Sequence, residues 1–404
     1  MEVLTRQHYA NIVDSWLGKG NIIALVGSRR VGKSCVLKDF VQRHKEDDIN
    51  IIYIDKEKKE FNTIRTKDDL DSWIETRFIK DKHNCILIDE VQEIEQFEDC
   101  VCNWYTEENT DVILTGSNSD MLSGELSTKL SGRNVEVRIH PLTYSEFLQF
   151  HKLPDSDENL MTYLNFGGLP GLRKVGLDSE EQVWAYLTSV FNTIMLKDII
   201  ERHDIRNVPF LMNLLAFYAD TTGKLTSANS ISKYMKSQQE DVSSNLILLY
   251  RGYYAEAFLL DVVQRYDIHG KKLFESNEKI YWEDLGLRNL KAAGAMDSYI
   301  EKVIENAVYK HLRFLGYEVN VGVLGAWEVD FVCNKNGKSI YVQVSYIISN
   351  EETRQREFGP LEKIKDNHPK YVISATPLLS QRDENGITHL SLRKFLKEGL
   401  CYSM

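Results

Sequence analysis

Residues 22–34 read Ile-Ile-Ala-Leu-Val-Gly-Ser-Arg-Arg-Val-Gly-Lys-Ser: an apolar run that stops at Gly27 and passes into Gly-x4-Gly-Lys-Ser. The order is physically demanding. A strand this apolar is buried on both faces. The glycines after it let backbone N–H groups curl around an anion, and the positive end of the next helix then faces that anion. Leu37, Phe40, Val41 and His44 follow at helical spacing, so strand, loop and helix come in the required sequence. The pattern is a phosphate-binding loop. It assigns Gly27, Arg30, Val31, Gly32, Lys33, Ser34 and Cys35 to the cradle, with Lys33 as the point charge for the β- and γ-oxygens and Ser34 as the hydroxyl for Mg²⁺.

The other half of such a site is an acid at the end of a neighbouring strand. Ile49–Asp55 is a β-branched run that reads as a second buried strand, and a helix follows over 68–79. Cys85-Ile86-Leu87-Ile88-Asp89-Glu90 then places two acids at the end of an apolar strand. Asp89 is suited to the Mg²⁺ shell and Glu90 to polarising an attacking water. Asp111–Asn118 reads as a fourth strand ending in small polar residues, where Ser117 or Asn118 would feel a γ-phosphate. Ser131-Gly132-Arg133 and a fifth strand over 135–142, stopped near Pro141, complete the set. Strands alternating with helices imply an α/β fold, a P-loop nucleotide domain on a parallel, doubly wound sheet.

At 404 residues, 43% of them hydrophobic, the chain is long enough for two or three cores. No apolar run approaches the roughly 18 residues of a membrane span, and the first residues lack a signal peptide's basic head and apolar body. The expectation is a cytoplasmic protein without a membrane partner. Six cysteines, Cys35, Cys85, Cys100, Cys102, Cys333 and Cys401, show no Cys-x2-Cys spacing and read as reduced core residues rather than zinc ligands or disulfides. A net charge of −11 argues against a surface that coats nucleic acid generally, while leaving room for local basic patches.

The loop, Cys85–Glu90, Thr115-Gly116-Ser117-Asn118, Ser131-Gly132-Arg133, Pro141–Phe147 and Gly167-Gly168-Leu169-Pro170 come in an order that resembles the archaeal-type AAA+ ATPases, over nearly the whole chain. That resemblance implies ATP hydrolysis with Mg²⁺: Lys33 and Ser34 binding, Asp89 on the metal, Glu90 as base, and Ser117 or Asn118 as sensor. It makes Arg133 an arginine finger or sensor, serving its own nucleotide or that of a neighbouring copy in a homo-oligomer.

Beyond an ATPase domain at 1–150, residues 151–220 read as a helical lid or linker and 221–290 as a winged helix, with helices at 227–235 and 243–257 and two strands around His269-Gly270. The second of those helices offers one arginine, Arg251, for reading DNA. Residues 291–404 resemble a PD-(D/E)xK nuclease core. Asn336-Gly337 fixes a hairpin register, which sets Lys335 against Lys338, Asp330 against Gln343 and Glu328 against Ser345 on one face. Glu305 from the preceding helix joins them as a second metal site with Asp330 and Gln343. Ser345 stands where that family has its lysine, with Lys338, Lys363 or Lys365 as stand-ins from elsewhere. The expected function is an ATPase coupling hydrolysis to DNA or a protein client. The alternatives are a scaffold that binds ATP without turnover and an ATP-licensed, metal-dependent DNA endonuclease.

Overall fold

The computed structural model describes residues 4–118, 132–377 and 379–400; Leu130 and Ser131 of the expected turn before Arg133 lie outside them. The chain divides into two units, residues 1–140 with 256–258, and residues 141–255 with 259–404. Among the described residues no helix is long and apolar enough to cross a membrane.

The first unit carries a five-stranded parallel sheet: β1 (Ile22–Val26), β2 (Ile49–Asp55), β3 (His83–Asp89), β4 (Thr110–Gly116) and β5 (Asn134–Arg138), in the order β2-β3-β4-β1-β5. Every residue of β1 is buried, as its uniform apolarity requires. Helix α1 (Gln7–Trp16) precedes β1, and α2 (Lys33–Arg43) follows the loop. The helix expected over 68–79 is shorter, Lys67–Glu75, and opens with a capping box between Thr66 and Asp69. Ile22, Ala24, Val26, Ile54, Ile86, Ile88, Val112 and Leu114 form one core cluster, joined by Phe258 from the returning segment.

The sequence reading ended this domain after residue 150. The helix Tyr144–His151 instead opens the second unit: the Leu142 amide donates to the Gly168 carbonyl at 2.7 Å, and the Tyr163 hydroxyl donates to the Leu142 carbonyl at 3.2 Å. Backbone pairing of the Pro-Leu-Thr segment with the Gly-Gly turn decides the boundary.

In the second unit helices precede an eight-stranded sheet. Its strands are β6 (Leu260–Asp267), β7 (Lys272–Trp282), β8 (Glu318–Leu324), β9 (Trp327–Lys335), β10 (Lys338–Ser345), β11 (Lys370–Ser374), β12 (Gln381–Glu384) and β13 (Ile387–Ser391), in the order β12-β13-β11-β10-β9-β8-β6-β7. The hairpin expected to be a wing is part of that sheet, because β6 pairs in parallel with β8 from Arg265–Val321 to Asp267–Val323. Separate domains at 221–290 and 291–404 therefore give way to one continuous sheet. The helices Ala228–Ser237 and Ser244–Glu256 do form, but Arg251, read as facing DNA, is ion-paired with Glu278 of β7. The Asn336-Gly337 turn is as expected: both residues have positive φ, 49° and 75°, and Lys338 pairs with Lys335.

One close approach in the first unit has a testable cost. Gly27 has φ 146°, and a Cβ there would lie 2.4 Å from the Ile139 carbonyl oxygen, whereas Gly18, at φ 67°, has nothing within 4 Å. Gly18→Ala should cost about 1–2 kcal/mol through backbone conformation alone. Gly27→Ala adds a backbone clash and should cost at least about 3 kcal/mol by urea unfolding; equal losses would rule out the close approach.

Candidate functional site

Because the strands are parallel, the loop leaving β1 opens at the same edge of the sheet where β3 ends at Asp89 and β4 at Gly116. The loop depends on backbone conformations that favour glycine: Gly27 and Gly32 have φ of 146° and 104°, and Arg30 adopts φ 66°. Gly32 caps α2, whose first residues are Lys33 and Ser34. The Lys33 ammonium is folded onto the loop, donating to the Gly27 and Ser28 carbonyls at 2.9 and 3.0 Å. Val31 is fully buried and Cys35 is exposed.

Asp89 is wholly buried. Its Oδ1 accepts from the Ser34 hydroxyl at 3.0 Å and from the Thr115 hydroxyl at 2.6 Å, and its Oδ2 from the Tyr53 hydroxyl at 3.5 Å. Burial pushes its carboxyl above the usual range, and the two hydroxyl bonds at Oδ1 oppose that shift. Burial and the charges of Asp89 and Asp55 likewise raise the Tyr53 phenol. Asp55, the register partner of Asp89 at the end of β2, is 3.3 Å from the Lys38 ammonium. Glu90 sits just past β3 in the left-handed region, φ 56°. Its amide donates to Thr115 Oγ1 at 2.9 Å, and its carboxylate accepts from the Gln92 side-chain amide.

The donor set fits Mg²⁺. Adjacent oxygens of an octahedral Mg²⁺ shell at 2.0–2.1 Å stand about 3 Å apart, and Ser34 Oγ and Asp89 Oδ1 are separated by 3.0 Å. Ser117 and Asn118 follow β4 at the same edge and are both buried. Arg133 is not brought there. β5 pairs with β1 from Asn134 opposite Ile22 onward, and the Arg133 carbonyl accepts from the Ile22 amide at 2.9 Å. That is the opening end of the strand, about 15 Å from the loop, which removes the reading in which Arg133 senses its own nucleotide.

Sequence reasoning missed three residues of this site. Thr115 belongs to a strand ending whose neighbours Ser117 and Asn118 carry the sequence signal; the step from Ile88–Leu114 pairing to Asp89 beside Thr115 finds it. Tyr53 follows from β2–β3 register in the same way. Arg6, which donates to the His140 carbonyl at 2.7 Å and to the Val31 carbonyl at 3.3 Å, leaves no local signal.

The second unit gathers the other predicted residues. Glu305 of the helix Ile300–Phe314 and Glu328 and Asp330 of β9 converge on one ammonium, that of Lys279 on β7, at 2.9, 2.8 and 3.4 Å. The Asp330 amide donates to Gln343 Oε1 at 3.2 Å, the Val344 amide to Asp330 Oδ2 at 2.9 Å, and the Gln343 amide to Glu357 at 3.1 Å. The Tyr281 hydroxyl donates to Glu305 at 2.6 Å. Asp330 and Gln343 therefore do meet, but the cation beside them is neither Lys338, at the far end of the hairpin, nor Lys363, whose ammonium lies over the Trp327 ring, nor the exposed Lys365. Burial disfavours charge on Lys279, yet the Glu305, Asp330 and Glu328 carboxylates together raise its ammonium above the ordinary value. Burial, working against the pull of Lys279, pushes the Asp330 carboxyl up to about 7.

Removing that ammonium leaves buried carboxylates uncompensated. Lys279→Met should destabilise the protein by about 3–5 kcal/mol at pH 8. Since the Asp330 carboxyl titrates near 7 and higher still without Lys279, protonation should shrink the deficit as pH falls from 8 to 5. Urea unfolding of both proteins across that range measures it, and a deficit independent of pH would contradict the ion cluster.

Residues 19–148 match the model of a family described as an AAA domain, and residues 157–298 one described as a domain of unknown function (DUF8612). An uncharacterized protein of Haemophilus influenzae is 32% identical over 381 residues, covering 92% of this chain and 93% of its own length. An uncharacterized protein of Methanocaldococcus jannaschii is 28% identical over 362 residues, 85% of this chain and 79% of that one. Among solved structures, the Walker-type ATPase of Pyrococcus abyssi covers 72% of this chain and 96% of its own at 14% identity, with a TM-score of 0.48.

Proposed function

This chain belongs to the family of the uncharacterized Haemophilus influenzae protein and carries an AAA domain, and from that premise we propose that it binds ATP and hydrolyses it with Mg²⁺ at the edge of the five-stranded sheet. The observation that carries the reading is the 3.0 Å contact between Ser34 Oγ and Asp89 Oδ1, from residues 55 positions apart. Lys33 leaves the Gly27 and Ser28 carbonyls for the β- and γ-oxygens of the triphosphate, whose other oxygens meet loop amides and the N-terminus of α2. Ser34 and Asp89 hold the cation, with Thr115 and Tyr53 fixing the Asp89 carboxylate from behind. Bound Mg²⁺ supplies the charge that offsets what develops on the transferring phosphoryl group. Glu90 takes the proton of the attacking water, and its backbone bond to Thr115 sets its position beside Asp89. Asn118, with Ser117, lies at the same edge as the γ-phosphate sensor.

Purified protein should release phosphate from ATP only with Mg²⁺. Lys33→Ala and Glu90→Gln should each lower the rate by about 10²–10⁴-fold, with Glu90→Gln keeping nucleotide-dependent thermal stabilisation. A rate unchanged in both variants would remove the proposal. Stabilisation by ATP with no turnover in wild type, even beside a partner, would leave the scaffold reading. The same assay with and without DNA separates the partners: stimulation supports DNA as the partner, and indifference favours a protein client. Arg133, excluded from its own nucleotide, keeps a role only toward a neighbouring copy in a homo-oligomer; activity that rises with protein concentration and is lost in Arg133→Ala is the expected sign.

A second reading, ATP-licensed cleavage of DNA, draws on one observation: Lys279 brings to Glu305 and Asp330, the latter bonded through its amide to Gln343, the cation that Ser345 does not supply. The carboxylates and the Gln343 oxygen would take a divalent metal once the ammonium turns toward a scissile phosphate. Cutting of linear or branched DNA with Mn²⁺, abolished by Asp330→Asn, is the required result; intact DNA in the wild-type reaction discards it.

A further inference from the structure

We propose that His83, Cys85 and Asp111 form a binding site for a Zn²⁺-class transition metal at the opening edge of the parallel sheet. The placement follows from strand geometry. His83 and Cys85 are two apart on β3 and so project from the same face, and Asp111 of β4 is the register partner of Cys85, which puts its side chain beside the thiol on that face. The His83 Nε2 nitrogen lies 2.7 Å from Asp111 Oδ2, and the three donor atoms all lie within 4.8 Å of one another. Donors around a tetrahedral Zn²⁺ at 2.0–2.3 Å stand about 3.3–3.8 Å apart. Turning of the imidazole and the thiol about their side-chain torsions is the adjustment that binding would require.

The surroundings are those of a directed site. Cys85 and Asp111 are buried, while the His83 side chain keeps 29% of its exposure, so a metal would enter on the imidazole side and hold water in its fourth position. The Gly18 amide donates to both oxygens of Asp111 at 3.0 Å and so fixes the orientation of the carboxylate. One imidazole, one thiolate and one carboxylate select a borderline-soft ion over Mg²⁺ or Ca²⁺, which take oxygen donors. On binding, the Cys85 thiol proton passes to solvent as the metal–sulfur bond forms. The strand from His83 to Asp89 spans about 20 Å, so this metal would not enter the nucleotide chemistry. It would tie β3, β4 and the turn at Gly18 together. The inference departs from reading all the cysteines as inert core residues, since spacing along one chain cannot reveal a donor set completed by a neighbouring strand.

The experiment is a Co²⁺ titration of the full, reduced chain without nucleotide. Binding at this site should give the near-ultraviolet thiolate-to-cobalt charge-transfer band together with the intense visible bands of a tetrahedral ion, both reversed by one equivalent of Zn²⁺. Cys85→Ser should abolish the charge-transfer band, and His83→Gln, on the exposed side where folding is least at risk, should weaken binding at least tenfold. Zn²⁺ should raise the melting temperature of wild type and not of His83→Gln. Absence of the charge-transfer band in wild type, or its persistence in Cys85→Ser, would overturn the proposal.

Discussion

A carboxylate with no solvent exposure has to be protonated, bonded or matched by a cation, and Asp89 makes the first unit intelligible in those terms. Its Oδ1 is shared by a hydroxyl from α2 and a hydroxyl from the end of β4, and its Oδ2 faces a phenol from β2. The strand order β2-β3-β4-β1-β5 sets β3 between β2 and β4 and places β1 on the far side of β4, so these partners converge only because all the strands end at one edge. Gly27 belongs to the same constraint. Its lack of a side chain lets the loop pass close to the Ile139 carbonyl, and the descent from β1 into α2 is thereby aimed so that Ser34 reaches Asp89.

The second unit meets the opposite problem. Lys279 is a cation with 3% of its side chain exposed, and its three carboxylate partners come from a helix and from β9. The parallel pairing of β6 with β8 carries the hairpin into the C-terminal sheet and makes the meeting possible. Arg251 is committed to Glu278 of the same hairpin. Charges that look available in a linear reading are used in this unit to join the hairpin to β9 and to the helix Ile300–Phe314, and removing one partner of such a pair leaves the others uncompensated.

Local chemistry made much of this legible in advance. Uniform apolarity marked β1 and β3 as strands buried on both faces, and Asn336-Gly337 fixed the register that sets Asp330 beside Gln343. The glycine and lysine spacing of 27–34 marked the loop. The readings that failed shared a cause: each concerned what a segment does with its outer surface. The hairpin after the two helices reads as a wing because its strands pattern locally as a free hairpin, while nothing within them announces the partner strand some fifty residues downstream. The order of motifs behind the family resemblance sets Arg133 with the nucleotide, but a parallel strand begins at the edge opposite the one where its neighbours deliver their acids.

Thr115, Tyr53 and Lys279 show where the line falls. Side-chain identity and period-two alternation act over a few residues, and they were enough to establish the strand, loop and helix around Lys33 and the paired acids Asp89 and Glu90. Which strands lie side by side, and therefore which hydroxyl steadies Asp89 and which ammonium enters the carboxylates at Asp330, was decided by tertiary structure. Strand adjacency is settled by burying whole faces against one another, and that sum over many weak contacts leaves no mark at any single position.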